Sequence, residues 1–181
     1  MNIFIDSTLD DLVIGLFNEN KQLVDYEIKV KLKEKSEILP SIFNQILKRN
    51  SLTINNINNY FINLGPGTFT GSRISLVFCR TICQVNNSNL FTTNTFELIS
   101  YDKEKNFFFV DARGNSAYMA QAEKGKLLSE IQVVEKKEKN DTVNYQKFFN
   151  DFRYIFNEIF ELEKDLLKVE PVYIKKPHIG N

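Results

Sequence analysis

Asn63-Leu64-Gly65-Pro66-Gly67-Thr68-Phe69-Thr70-Gly71-Ser72-Arg73-Ile74 joins two apolar runs of different kinds. Before it, Tyr60-Phe61-Ile62 predicts a strand; after it, the spacing from Arg73 to about Val85 predicts a helix. A glycine-rich turn between strand and helix is a common place to hold phosphate, or to set two elements tightly together. The letters exclude the two familiar phosphate loops. A Walker loop encloses four residues between its glycines and follows with Gly-Lys-Ser/Thr. Here Gly65 and Gly71 enclose five, and Ser72-Arg73 follows. The dinucleotide fingerprint Gly-x-Gly-x-x-Gly fails as well, because Thr70 stands where the third glycine belongs.

Three glycines in seven residues imply positive φ angles or close backbone approach. Pro66 removes a donor and stiffens the turn, and Thr68 or Thr70 can cap the following helix. A plain tight turn and a ligand or partner site both fit these letters. Arg73, read in a first helical turn, faces the positive end of the helix dipole. A carboxylate or phosphate partner is therefore expected for it, with an internal salt bridge favoured over a ligand contact.

Working outward, the chain has 181 residues, 43% of them hydrophobic, enough for one domain or two small lobes with a real core. Lys+Arg and Asp+Glu balance at 23 each, so no general basic field exists to capture nucleic acid. No apolar run reaches the roughly 20 residues of a membrane span. The chain opens on a strand pattern rather than a charged leader, and a soluble cytoplasmic protein is expected. Cys79 and Cys83, at i, i+4 spacing among apolar residues, read as buried small hydrophobes rather than metal ligands. His178 is the single histidine and lies near the chain end, so a histidine-based nucleophilic mechanism lacks a credible base.

Asn2 to Asp6, Leu12 to Phe17 and Gln22 to Leu32 predict an antiparallel meander. Ile38, Leu39, Ile42, Phe43, Ile46 and Leu47 predict a helix with a broad apolar stripe. Ile74, Val77, Phe78, Ile82 and Val85 give a packed face to the helix after the glycine turn. Leu90-Phe91 predicts a short strand and Thr95 to Ser100 a short helix. A second meander begins at Phe107 to Val110, turns at Asp111 to Asn115, returns along Ala117 to Ala122, and continues from Lys126 to near Val134. Glu135 to Asp141 is charged and solvated. Phe148, Phe149, Phe152, Ile155, Phe156, Ile159 and Phe160 mark a long amphipathic helix whose stripe reads as core. Glu170 to Ile174 predicts a last extended segment. The halves repeat roughly, which suggests two α/β lobes, 1–92 and 93–181, on an actin/hexokinase-like plan.

Leu64 to Ile74 resembles the Gly-Pro-Gly-Ser-Phe-Thr-Gly-Leu-Arg-Ile signature of the TsaB (YeaZ) family. Ordered matches accompany it: Ile5-Asp6-Ser7-Thr8, Ser36-Glu37-Ile38-Leu39-Pro40, Val110-Asp111-Ala112-Arg113 with Tyr118, and Glu170-Pro171-Val172-Tyr173-Ile174. That family belongs to the machinery making threonylcarbamoyladenosine in tRNA, next to the anticodon. The resemblance implies an α/β, two-lobed actin/hexokinase-like (ASKHA) fold with a shortened second lobe, since the match is poor from about Glu123 to Val169. It implies a non-catalytic partner of a TsaD-like catalytic subunit, working with a TsaE-like ATPase, homodimeric when alone, and meeting tRNA only through the complex. No cofactor and no metal are implied. Lys35 stands where many relatives have histidine, and the histidine pair with which TsaD holds a metal is missing.

The interface expected from the resemblance comprises Ile38, Leu39, Ile42, Phe43, Ile46, Ile74, Val77, Phe78 and Ile82. Charging Ile42 or Phe78 is expected to abolish partner binding if either lies outward. The glycine turn contributes Gly65, Pro66, Gly67, Thr68, Thr70, Gly71 and Arg73, and small Gly71, Ser72 and Ser75 would let another backbone approach the helix. The alternative is a small actin/hexokinase-type nucleotide-dependent enzyme. Its first hairpin would need a glycine after Asp6, where Ser7-Thr8-Leu9-Asp10 adds negative charge instead. A peptidase, a label once attached to the wider family, lacks histidine ligands and a supported nucleophile.

Overall fold

The computed structural model describes residues 1–136 and 140–174. His178 and the middle of the charged segment after Glu135 lie outside the described residues. The framework is a six-stranded mixed sheet. Strands β1 (Asn2–Asp6), β2 (Leu12–Phe17) and β3 (Leu23–Lys29) form the antiparallel meander. On the other side of β1, β4 (Asn59–Asn63) and β5 (Asn89–Thr93) add in parallel, each reached through a helical crossover. A two-residue strand from the far end of the chain, β10 (Glu161–Leu162), closes the edge beside β5, giving the order β10-β5-β4-β1-β2-β3.

Burial on both faces explains why β1, β2 and β4 read as unbroken apolar runs. Ile3, Ile5, Leu12, Ile14, Leu16, Tyr60 and Ile62 face helices α1 (Lys35–Arg49) and α2 (Phe69–Asn86). Phe4, Val13, Phe17 and Phe61 face the opposite way, into a second core with α3 (Thr95–Ser100) and α4 (Tyr145–Ile159). That second core is built from phenylalanines. The Phe152 ring stacks on Phe17 with centroids 4.1 Å apart and meets Phe61 edge-on at 5.0 Å. Gly15 lies on this face because the Phe149 ring fills the place of its side chain; a Cβ there would sit 2.7 Å from that ring. The expected aromatic stripe of α4 is therefore core, and it belongs to the first sheet.

The second sheet is smaller and wholly antiparallel. Its strands are β6 (Asn106–Asp111), β7 (Ser116–Glu123), β8 (Lys126–Leu127) and β9 (Gln132–Glu135), with β7 in the middle. The single strand expected from Lys126 to Val134 is split. The Ser129 hydroxyl accepts the Gln121 N–H at 2.9 Å, and Leu128 N–H donates to Gln121 O at 2.8 Å, so a serine breaks the ladder there. The halves are thus not repeats. The boundary expected at 92/93 falls inside β5, and α4 with β10 returns to complete the first sheet.

Candidate functional site

The glycine turn owes its letters to the β1–β2 loop lying across it. Thr8 O accepts both the Thr68 N–H at 2.9 Å and the Thr68 hydroxyl at 3.0 Å. A Cβ on Gly67 would sit 2.6 Å from that same oxygen, and one on Gly71 would run into Ser7 O and the Thr68 hydroxyl. Gly65 has φ +104°, in the region that favours glycine, and is followed by a cis peptide to Pro66. The backbone that small Gly71, Ser72 and Ser75 admit is therefore this chain's own, and all three are buried.

Thr68 is the N-cap of α2: its hydroxyl accepts the Gly71 N–H at 3.1 Å. The helix begins at Phe69, four residues before the point expected from apolar spacing. Arg73 consequently stands in the second turn, and the dipole argument for an anionic partner does not apply. Nor does it have a carboxylate among the described residues. Its Nε donates to Tyr173 Oη at 2.6 Å, and the guanidinium lies over the Phe69 ring, 3.8 Å from the centroid.

Beneath the turn, polar groups satisfy one another. The buried Asp6 carboxylate accepts the Thr8 N–H at 2.8 Å, Asn63 Nδ2 at 3.0 Å and the Tyr145 hydroxyl at 2.8 Å. The Ser7 hydroxyl donates to Gly71 O at 2.6 Å and accepts the Ser75 N–H. Thr95 donates to Pro66 O at 2.7 Å and accepts from Asn63, tying α3 to the turn. Lys35 Nζ donates to Ser7 O at 2.8 Å and to Leu9 O. Burial pulls the Lys35 ammonium below the ordinary lysine range, and Asp6, Asp10 and Asp11 oppose that only in part. Burial also pushes the Tyr145 hydroxyl up, and Asp6 beside it adds to the effect.

Sequence reasoning missed the parts of Asn63, Thr95 and Tyr145, because their partners come from 29 to 139 residues away. It missed Phe69 by starting α2 too late, and Tyr173 because that residue meets Arg73 across 100 residues of chain. Thr68, already recognised as a possible cap, was the signal that could have corrected it.

Of the helical residues expected at an interface, Leu39, Ile42, Phe43 and Ile46 are buried, none more than 4% exposed, in the chain's own core. They cannot touch a partner as α1 now lies, because that side of the helix covers the sheet. Ile38, Ile74, Phe78 and Ile82 are partly buried against the same core. Val77 is 52% exposed, and the row it belongs to includes two residues not expected there, Phe69 at 46% and Val85 at 78%.

Cys79 and Cys83 are buried free thiols, and burial pushes Cys83 up to about 12, so both stay protonated and inert. Among the described residues no group of three or more His, Cys, Asp or Glu could hold a metal ion. Among them, too, no helix is long and apolar enough to cross a membrane. A cleft of about 330 Å³ separates the β1–β2 loop from the β6–β7 hairpin, lined by Leu9, Asp11, Val143 and Tyr145 among others. Arg113 also lines it, with its guanidinium 2.6 Å from Asp10.

No family model matches the chain. It is 27% identical to the uncharacterized protein MG208 homolog of Mycoplasma pneumoniae, over 97% of this chain and 95% of the relative. With the uncharacterized protein MG208 of Mycoplasma genitalium it shares 25%, over the same fractions. Among solved structures, YeaZ from Pseudomonas aeruginosa superposes with a TM-score of 0.65 at 16% identity, over 76% of this chain and 68% of that one. The chain has the fold of YeaZ. A second structure, described as an uncharacterized protein with similarity to peptidase YEAZ from Pseudomonas aeruginosa, gives a TM-score of 0.71 at 13% identity, over 96% and 99% of the two chains.

Proposed function

We propose that this chain is a TsaB (YeaZ) family protein: a two-lobed, actin/hexokinase-like subunit with a reduced second lobe and no chemistry of its own. In this reading it is cytoplasmic and supports a TsaD-like catalytic subunit, alongside a TsaE-like ATPase, in forming threonylcarbamoyladenosine in tRNA. It meets tRNA through that complex and self-associates when alone. The observation that carries the reading is the row of exposed apolar residues, Phe69, Val77 and Val85, on the helix that the glycine turn launches. Exposed apolar surface of this kind favours association with a partner.

The corner beneath the row supports the non-catalytic part. In a nucleotide-dependent enzyme of this plan the β1–β2 loop would cradle phosphate. Here Asp6, Ser7 and Thr8 are each at most 1% exposed, and their polar atoms are already paired within the chain. Co-purification with a TsaD-like protein from the same cell, followed by a reconstituted modification assay with and without this chain, tests the proposal. Modification at full rate without the chain would end it.

A second reading, a small nucleotide-dependent enzyme, draws on the 330 Å³ cleft beside Asp10, Lys31 and Arg113. Steady ATP turnover by the isolated chain would favour it.

A further inference from the structure

The row on α2 contains a charge that the apolar reading leaves without a purpose. Phe69, Arg73, Val77, Thr81 and Val85 follow one another at four-residue intervals, and all five are exposed; the ridge winds about 40° per step, so Arg73, Val77 and Thr81 share one face, with Phe69 and Val85 at its two ends. From Phe69 to Asn86 the helix carries two cations, Arg73 and Arg80, and no carboxylate at all. Arg80 is half-buried and turned inward, with Nη1 donating to Val169 O at 3.4 Å. Arg73 is the outward one.

Its guanidinium is held from two sides. The centre lies 3.8 Å from the Phe69 ring centroid and 5.3 Å from that of Tyr173, and those two rings are themselves 5.6 Å apart. Nε donates to the Tyr173 hydroxyl. Among the described residues the terminal amino groups have no partner. Stacking fixes the plane of a guanidinium and leaves its edge to make two parallel N–H bonds, the arrangement that matches a carboxylate. An arginine fixed before it binds forfeits less side-chain freedom on binding than a mobile lysine.

We propose that Arg73 is a ready-made carboxylate fork. The protein that covers the α2 row presents one Asp or Glu from an otherwise apolar helix face, and that acid pairs with Arg73. This inference rests on the docking reading given above. Charge complementarity selects the occupant. A second copy laying the same row against this one brings no acid, since the row has none. RNA would supply anions, but phosphate has no use for the valines at positions 77 and 85.

The test titrates the full chain against the TsaD-like protein of the same cell at low and high salt, with Arg73→Gln, Arg73→Lys and Val77→Asp compared. Val77→Asp is expected to abolish binding. Arg73→Gln should weaken it by about a hundredfold and flatten its salt dependence, as removal of one half of a desolvated charge pair does. Arg73→Lys should recover only part of the loss. If Val77→Asp abolishes binding while Arg73→Gln binds as the unaltered chain does, the fork is refuted and docking stands. If Val77→Asp binds normally, the docking reading fails and takes the fork with it. Bulk tRNA retained by the isolated chain and released by Arg73→Gln would assign the fork to phosphate. Dissociation of a self-associated form by Arg73→Gln, with heterologous binding unchanged, would assign it to a second copy. Either result overturns the proposal.

Discussion

The carbonyl oxygen of Thr8 accepts two hydrogen bonds from one residue, Thr68, whose backbone N–H and hydroxyl lie 2.9 and 3.0 Å away. The loop after the first strand is thereby fastened to the cap of α2, sixty residues later in sequence. Thr68→Val keeps the shape of the side chain but loses the cap and one of the two clamps. It should lower stability by about 1–2 kcal/mol, as loss of a helix cap does. Urea unfolding would measure this, and an unchanged midpoint would remove the clamp from the account.

The glycines in the turn are expected to differ sharply from a glycine elsewhere. Gly71→Ala drives a methyl into Ser7 O and the Thr68 hydroxyl, both on packed backbone or a fixed cap. A cost of about 3 kcal/mol is expected, typical of overpacking against atoms that cannot yield. Gly114→Ala meets nothing within 4 Å and suffers only from its φ of +62°, so about 1 kcal/mol is expected there. Equal costs at the two positions would show that the loop gives way.

Asp6 separates the scaffold reading from the enzyme reading. With three donors on its carboxylate, Asp6→Ala leaves Asn63 and Tyr145 short of an acceptor in a buried site. A loss of about 2–4 kcal/mol should follow. Any fall in tRNA modification by the reconstituted complex should then track the folded fraction and recover on cooling. A fully folded Asp6 variant that has lost modification would mean the carboxylate does chemistry.

Lys35 predicts a sign for the pH dependence. Burial lowers its folded pKa, so the native chain releases the proton before the unfolded chain does. Between the lowered value and the ordinary one near 10.5 the unfolded state binds more protons, and stability rises with pH. Comparing the unfolding free energy of the native sequence with that of Lys35→Met as pH approaches 10.5 from below should show the rise only with lysine present. Parallel curves would show that the ammonium is solvated.

Phe152 reports on how the two halves share a core. It is fully buried and lies against Phe17 and Phe61 from the first half. Phe152→Ala should cost about 3–5 kcal/mol and melt both sheets together. Two separate thermal transitions would show the halves to be independent.

Much of the framework could be read from local pattern. Apolar runs without alternation at Ile3 to Ile5 and Tyr60 to Ile62 require strands covered on both faces, and those strands are central. The phenylalanines from 148 to 156 fall at helical spacing, and the helix is there; Phe160 stands just past its end, in extended backbone. What a one-dimensional pattern could not give was partnership over distance. Nothing near Leu39, Ile42, Phe43 and Ile46 says whether a broad stripe meets one surface or two; the sheet took all four. The two-residue β10 has no signal of its own, because its place is set by the open edge of β5. Within the site, Gly67 and Gly71 announced a close approach, but the approaching atoms belong to a loop sixty residues earlier, which only folding brings near.

The return of α4 and β10 to the first sheet has a consequence during synthesis. A ribosome releases this chain from its amino end, and Phe4, Phe17 and Phe61 emerge long before the phenylalanines that will cover them. Until residues near 160 have cleared the exit tunnel, that side of the largest sheet lacks the rings of Phe148, Phe149 and Phe152 and stays only partly covered. Over that interval the nascent polypeptide exposes the kind of surface that favours clumping.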